Sequence, residues 1–312
     1  MTTSSDETSI GMAAVLFAAV VWGTTGTAAT FAPDVSSAAI GAAAMGLGGL
    51  MQAALAGRKI LRSLPALART WPLLLSGGVA VAIYPLAFYG SMRLAGVTIG
   101  TVVTIGSAPL LAALIECVLD KARLSVRWVW GAFAGLLGIL LLCLGEGGSH
   151  GVSATGDSVM AGIGLGLIGG LTYAFYSWSA RRVMLSGVAS SVSMGATFGI
   201  GGLLLMPVLL ATGAPFLASW TNAAVGLYMA GVPMFLGYLC FGYGLARIPA
   251  STATTITLVE PVVAAMLAIM VVGERLPIAG WTGVAFVIVS LVIITLPAKP
   301  RIRSGLKTPK GV

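Results

Sequence analysis

The chain alternates between long apolar runs and short polar breaks. Ten runs come close to or exceed the roughly 20 residues that an α-helix needs to cross a hydrocarbon core. They lie at 10–30, 35–57, 71–93, 97–119, 127–146, 157–180, 190–212, 220–246, 250–272 and 278–297. The breaks carry turn chemistry, as in Pro33-Asp34 and Gly213-Ala214-Pro215, where proline and glycine set special backbone angles. The runs are continuous rather than alternating, which disfavours a membrane β-barrel built from ~10-residue strands. The pattern predicts an all-α integral membrane protein with ten transmembrane helices.

Composition strengthens this. Hydrophobic residues make up 58% of the 312 positions and charged residues only 8%. A soluble domain usually carries about 25% charge to cover its surface. Mean hydropathy is +1.02. The formal net charge is +8, but the basic residues sit between the runs or in the tail. Membrane lipid, and no nucleic acid, is therefore the partner expected of them. Met1 to Ser9 holds no Lys or Arg, so the basic start of a cleavable signal peptide is missing and the first run reads as a span. Cys117, Cys143 and Cys240 lie inside apolar runs at no metal-ligand spacing.

Ten spans put both termini on one side, and that side then receives nearly every cation. Of the 17 Lys and Arg, only Arg93 and Arg275 fall on the opposite side. Short cytoplasmic loops are enriched in Lys and Arg. The expectation is a multi-pass protein of a bacterial inner (cytoplasmic) membrane with both termini cytoplasmic. A monomeric state is compatible with the sequence.

The halves resemble each other. A gapless shift of 152 pairs Gly90 with Gly242, Pro109 with Pro261, Arg123 with Arg275, Leu124 with Leu276 and Gly131 with Gly283. Pro85 with Pro233, and Trp22-Gly23 with Tyr173-Ala174, form looser pairs. Each half has five spans. Five is odd, so the second half enters the membrane from the opposite side. Inverted repeats of this kind occur in many secondary transporters, and also in channels.

Trp22-Gly23 in the first span, Pro109 and Pro261 early in the fourth span of each half, and Gly273-Glu274-Arg275-Leu276 before the last span together resemble the EamA-type ten-helix members of the drug/metabolite transporter superfamily. The resemblance covers roughly residues 10 to 297. It implies a first five-helix repeat over 1–146, an inverted second repeat over 157–297 and a basic cytoplasmic tail over 298–312. The first half departs from the pattern at Lys121-Ala122-Arg123-Leu124, which lacks the acidic residue. Within the superfamily, the aromatic central helices look most like bacterial amino-acid exporters of the YddG type.

Catalytic chemistry is nearly absent. The one histidine, His150, lies in a Gly-Gly-Ser-His-Gly loop. No nucleotide motif or metal-ligand spacing appears, so neither enzyme activity nor a cofactor is expected. Glu260 stands out because it lies about ten residues into its span, hence ~15 Å deep at helical rise. A charge there costs about 2.5–3.5 kcal/mol or more unless it meets a partner or a wet cavity. It reads as a contact for a substrate ammonium or a proton carrier, or as a structural carboxyl. Glu116, near a span end, reads as snorkelling to the interface.

Each half also has one helix whose first part is small and hydroxylated before its proline. Thr98, Thr101, Thr104 and Ser107 precede Pro109; Ser251, Thr252, Thr254, Thr255 and Thr257 precede Pro261. Thr104, Ser107 and Thr257 are taken as cavity-lining, although such hydroxyls also bond back to their own helix. Trp71, Trp128, Trp130, Trp178, Trp220 and Trp281 lie near span ends and read as an interface belt. Trp22, Tyr84, Phe88, Tyr173, Phe235 and Tyr238 are deeper, and a tyrosine hydroxyl in hydrocarbon needs a partner. These six complete the candidate substrate site with Thr104, Ser107, Thr257 and Glu260. Pro85, Pro109, Pro233 and Pro261 are candidate kinks or hinges. The expected function is alternating-access export of small metabolites, with neutral and aromatic amino acids as substrates. A multidrug exporter using Glu260 for lipophilic cations, and an open channel or facilitator, remain alternatives.

Overall fold

The computed structural model describes residues 5–146, 156–272 and 277–296. His150, the Gly273 to Leu276 stretch and the basic tail lie outside the described residues, as do the side chains of Thr98 and Cys143. Every described element is helical. By length and composition, nine described helices can cross a membrane: α1 (Asp6–Ala29), α2 (Ser37–Arg62), α3 (Trp71–Ala95), α4 (Val97–Leu119), α6 (Gly156–Leu185), α7 (Ser190–Thr212), α8 (Trp220–Leu245), α9 (Ala250–Val271) and α10 (Ile278–Thr295). With them stands α5 (Val126–Glu146), whose 21 residues also suffice.

Several helices outrun their apolar segments. The α2 helix continues through Arg58, Lys59 and Arg62. The α6 helix continues through Arg181 and Arg182. Hydropathy marks only the hydrocarbon-soluble part of a helix, whereas long basic side chains let the backbone stay helical into the interface. At the α3–α4 joint, Gly96 takes φ +88°. That left-handed conformation costs a side-chain-bearing residue energy and glycine nothing, so α3 ends there and α4 turns back.

The two halves, α1–α5 and α6–α10, pack as inverted copies. Contacts of α3 with α6 and α7 are mirrored by contacts of α8 with α1 and α2, and α4 on α6 is mirrored by α9 on α1. The pairs α2–α7, α4–α9 and α5–α10 map onto themselves. Their antiparallel sense is visible in single contacts. Glu116, near the end of α4, meets Ala250 at the start of α9. Arg127, at the start of α5, donates to the carbonyl of Ile294 near the end of α10.

Small residues let these pairs approach. On Gly138 of α5, an added Cβ would lie 2.8 Å from the Gly283 carbonyl oxygen. On Gly283 of α10, it would lie 2.5 Å from both the Gly138 carbonyl oxygen and the Leu142 amide nitrogen. Lipid tails offer no hydrophobic drive between helices, so close backbone packing is what holds them. Ser290 of α10 adds a 2.6 Å hydrogen bond to the Gly131 carbonyl. Replacing Gly283 by Val should therefore force α5 from α10 and destabilise the fold by about 1–3 kcal/mol, as overpacking does. Gly57→Ala, where a Cβ meets nothing within 4 Å, is the control. Thermal unfolding of both variants in detergent checks this; equal midpoints would contradict the packing.

Candidate functional site

The site begins with interrupted helices. Proline has no N–H to donate and crowds the preceding turn. Around Pro233, residues Ala230–Gly237 of α8 widen into a π-helix. Just before Pro261, Thr257–Val259 of α9 tighten into a 3-10 turn. The α1 helix breaks at Gly23 and Thr24, directly after Trp22. Pro85 and Pro109, in contrast, sit inside unbroken α3 and α4.

Irregular backbone in a membrane must find its hydrogen bonds within the protein. The Trp22 indole N–H donates to the Pro233 carbonyl at 2.9 Å. The Gln52 amide donates to the Met234 carbonyl at 3.2 Å. Three spans are thus tied together at one level, with the Trp22 ring as the tie. Its ring centroid stands 4.6 Å from Tyr238, 5.2 Å from Phe241 and 6.5 Å from Tyr173.

Other rings extend the cluster. Tyr84 lies 5.5 Å from Tyr173 and 5.8 Å from Phe88. Phe88 is 5.2 Å from Tyr89. Tyr173 and Thr257 share a hydroxyl–hydroxyl bond of 3.0 Å, and Tyr176 and Tyr238 one of 2.7 Å. Among the described residues, no hydrogen bond reaches the Tyr84 or Tyr89 hydroxyl or the Glu260 carboxylate.

These residues enclose a chamber between the repeats. Its deep part is lined by Trp22, Tyr84, Pro85, Phe88, Tyr89, Tyr173, Tyr238 and Glu260, together with Met45 and Met234. Trp22, Thr25, Phe88, Tyr89 and Glu260 also line the adjoining outer part, a cavity of about 540 Å³. That part extends to Ala29, Ser37, Arg93 and Thr101, all near the helix ends on the face opposite the N-terminus. Toward the N-terminal face, Tyr176, Phe198, Tyr238, Phe241 and Leu245 are fully or nearly fully buried and close the path.

A polar seal lies beyond them on that closed side. The Glu116 carboxylate of α4 accepts from the amides of Ala250 (2.7 Å) and Ser251 (3.4 Å) and from the Ser251 hydroxyl (2.5 Å). An acidic group at a helix N-terminus meets orphan N–H groups and a favourable dipole. Asp120 accepts from the Trp178 indole at 2.9 Å and pairs with Arg182 at 3.4 Å. Arg181 donates to the Ile248 carbonyl at 2.6 Å.

Of the sequence-derived candidates, Trp22, Tyr84, Phe88, Tyr173, Tyr238 and Glu260 meet in the chamber, with Pro85 and Pro261 in its wall. Thr257 stands behind it, bonded to Tyr173. Thr104 and Ser107 do not line it. Thr104 is fully buried and packs against Gly169, and Ser107 packs against Gly170 and donates to the Thr104 carbonyl at 3.3 Å. Phe235 is absent from both parts of the wall, and Pro109 is buried in α4 away from it.

Three expectations are corrected. Glu116 is 6% exposed and caps a helix rather than snorkelling. Trp128 and Trp178 are 9% and 7% exposed, so they leave the interface belt. Trp71, Trp130, Trp220 and Trp281 remain outward.

Sequence reasoning missed Tyr89, Arg93, Met45 and Met234. Tyr89 carried the same signal as Tyr84, a hydroxyl in an apolar run. Arg93, near a span end, carries no sequence signal beyond its side of the membrane.

With the inverted bundle and its chamber defined, the likeness to known proteins takes on structural meaning. Residues 9–144 and 160–296 each match the EamA-like transporter family. The chain belongs to that family. The uncharacterised transporter YwfM of Bacillus subtilis (strain 168) is 31% identical over 288 residues, covering 92% of this chain and 93% of that one. The threonine/homoserine exporter RhtA of Escherichia coli (strain K12) is 29% identical over 199 residues, covering 62% and 64%. One protein of known crystal structure superposes with a TM-score of 0.74 at 20% identity, covering 94% of this chain and 98% of its own. That match concerns the fold. The chain is a multi-span transporter, and its named relatives are transporters rather than enzymes.

Removing the α9 cap should be measurable locally. Glu116→Gln leaves the size but weakens three charge-assisted bonds, at a cost of about 1–2 kcal/mol. Amide exchange across residues 250–255 should then rise roughly 5- to 30-fold, since 1.4 kcal/mol is about a factor of ten. Unchanged exchange there would show that Glu116 does not hold the start of α9.

Proposed function

We propose that this EamA-family transporter exports small metabolites, chiefly neutral and aromatic amino acids, across a bacterial inner membrane by alternating access. One observation carries this reading. Among the described residues, a chamber of aromatic rings holds one carboxylate, Glu260, that no hydrogen bond reaches, at the interface of two inverted repeats. Apolar rings supply broad affinity for side chains, and a few placed polar groups orient the ligand. The carboxylate, next to tyrosine and tryptophan faces, suits an ammonium group, which is attracted by both charge and ring quadrupole. The name of RhtA, an exporter of threonine and homoserine, points to the same substrate class.

The excess of Lys and Arg on the side of the termini supports cytoplasmic termini. The chamber then faces outward, in the state from which an exporter has released its cargo. Its sealed inner end speaks against a continuously open pore. In the cycle, the Glu116–Ser251 and Asp120–Arg182 contacts part when the chamber turns inward, and the repeats exchange shapes as inverted copies can.

The test uses the purified protein in liposomes loaded with labelled phenylalanine, tryptophan or threonine, with and without a pH gradient. Saturable flux, competed by other neutral amino acids, is the expected result. Glu260→Gln should lower that flux at least tenfold with normal insertion, because the ammonium loses its counter-charge. Flux of cationic dyes alone would replace this reading with a multidrug exporter, and non-saturating flux would replace it with a channel. Dependence on the pH gradient that vanishes in Glu260→Gln would add proton carriage to the role of Glu260.

A further inference from the structure

The chamber carries a second charge. Arg93 of α3 lines the same cavity of about 540 Å³ as Glu260. Among the residues that line either part of it, these are the only ones with a full charge. Among the described residues, neither is in an ion pair. The salt bridge of Arg182 with Asp120 lies at the sealed end.

Their placement along the path differs. Phe88 borders both the deep and the outer part, as Glu260 does. Arg93 follows Phe88 by five residues on the same helix, about 7.5 Å farther along the axis toward the open end. The carboxylate therefore sits at the floor and the guanidinium near the mouth. Between them the wall is mostly apolar, with Phe88, Ile105 and Ala264, and carries the hydroxyls of Thr25 and Thr101.

We infer that this pair selects dipolar ions: Glu260 takes the ammonium and Arg93 takes the carboxylate of a free α-amino acid. The inference rests on the amino-acid reading above and narrows it. A lipophilic cation reaching Glu260 passes an opposing charge at Arg93. An organic anion held at Arg93 faces Glu260 with nothing to neutralise it. Only a ligand bearing both signs pairs both groups, the half-buried Glu260 at the floor and the exposed Arg93 near the mouth. Arginine suits this task, because its planar fork can hold a carboxylate by two parallel bonds. Position near the end of α3 also favours a cation through the helix dipole. That effect would keep Arg93 at the helix end without any part in selection, so the test must read selectivity.

Counterflow of labelled phenylalanine into liposomes, competed by four unlabelled compounds, provides that reading. They are phenylalanine, its methyl ester, phenethylamine and 3-phenylpropionate. On the unaltered protein, only phenylalanine should compete at concentrations near its own KM. The ester and the amine lack the carboxylate, the acid lacks the ammonium, and each should compete at least tenfold more weakly. In Arg93→Gln, KM for phenylalanine should rise about tenfold and the ester should become its equal. Arg93→Lys should restore part of the discrimination. In Glu260→Gln, 3-phenylpropionate should gain in the same way.

Equal competition by the ester and phenylalanine on the unaltered protein overturns the inference without any variant. So does an Arg93→Gln protein that keeps both KM and its preference. In either case amino-acid flux persists and the broader reading stands. Absence of any amino-acid flux removes both.

Discussion

The hydrogen bond from the Trp22 indole to the Pro233 carbonyl is the contact around which the centre of this transporter is arranged. Inside a bilayer, a backbone carbonyl without a donor costs several kcal/mol. Pro233 widens α8 into a π-helix and leaves such groups at mid-span. Trp22 and Gln52 supply the donors, from α1 and α2. Once the indole is fixed, the rings of Tyr238, Phe241 and Tyr173 pack on it, and the floor of the chamber follows. The α1 helix itself breaks one residue later, at Gly23. A Cβ on that residue would lie 2.8 Å from the Glu260 carbonyl oxygen. The first span, the π segment of the eighth and the proline turn of the ninth thus meet through a donated N–H and a missing side chain.

The repeats share a fold but differ in charge. Glu116 and Asp120 of α4 build the seal at one end. Under the 152-residue offset their counterparts in α9 are Ala268 and Val272, which carry no charge. At those two positions the second repeat therefore offers no carboxylate in the place of Glu116 and Asp120. Among the described residues the packing is near-symmetric while this acidic seal stands at the closed end of the chamber.

Much of the architecture was legible in the sequence, because a bilayer writes its thickness into the length of apolar runs. Ten runs, the sidedness of Lys and Arg, and the spacing of Pro109 and Pro261 were enough to expect inverted halves, and the packing has that form. The deep aromatics were legible for a related reason: a tyrosine hydroxyl cannot be left in lipid. What failed was rotation about the helix axis. Thr104 and Ser107 have the right depth and chemistry, yet they face Gly169 and Gly170, whose missing side chains make room for them. Depth comes from counting residues, but azimuth depends on which neighbour packs where. The errors at Glu116, Trp128 and Trp178 are of the same kind, since position near a span end does not reveal whether lipid or protein lies beside it.

Five tyrosines surround the chamber or its floor, and they divide by what their hydroxyls do. Tyr173 is held by Thr257, while Tyr176 and Tyr238 hold each other. Those bonds fix three rings before any ligand arrives, so little ordering cost remains for the wall on binding. Tyr84 and Tyr89 have no such bond among the described residues, although both line the deep part. Among the described residues, their hydroxyls and the carboxylate of Glu260 are chamber groups that no hydrogen bond of the fold occupies. All three residues are half-buried, and a ligand can take up the hydrogen-bonding capacity they leave open. A transport site cannot gain too much from this, because its cargo must also leave. Rigid rings for broad contact, with a few unfilled polar positions for orientation, give such a balance between recognition and release.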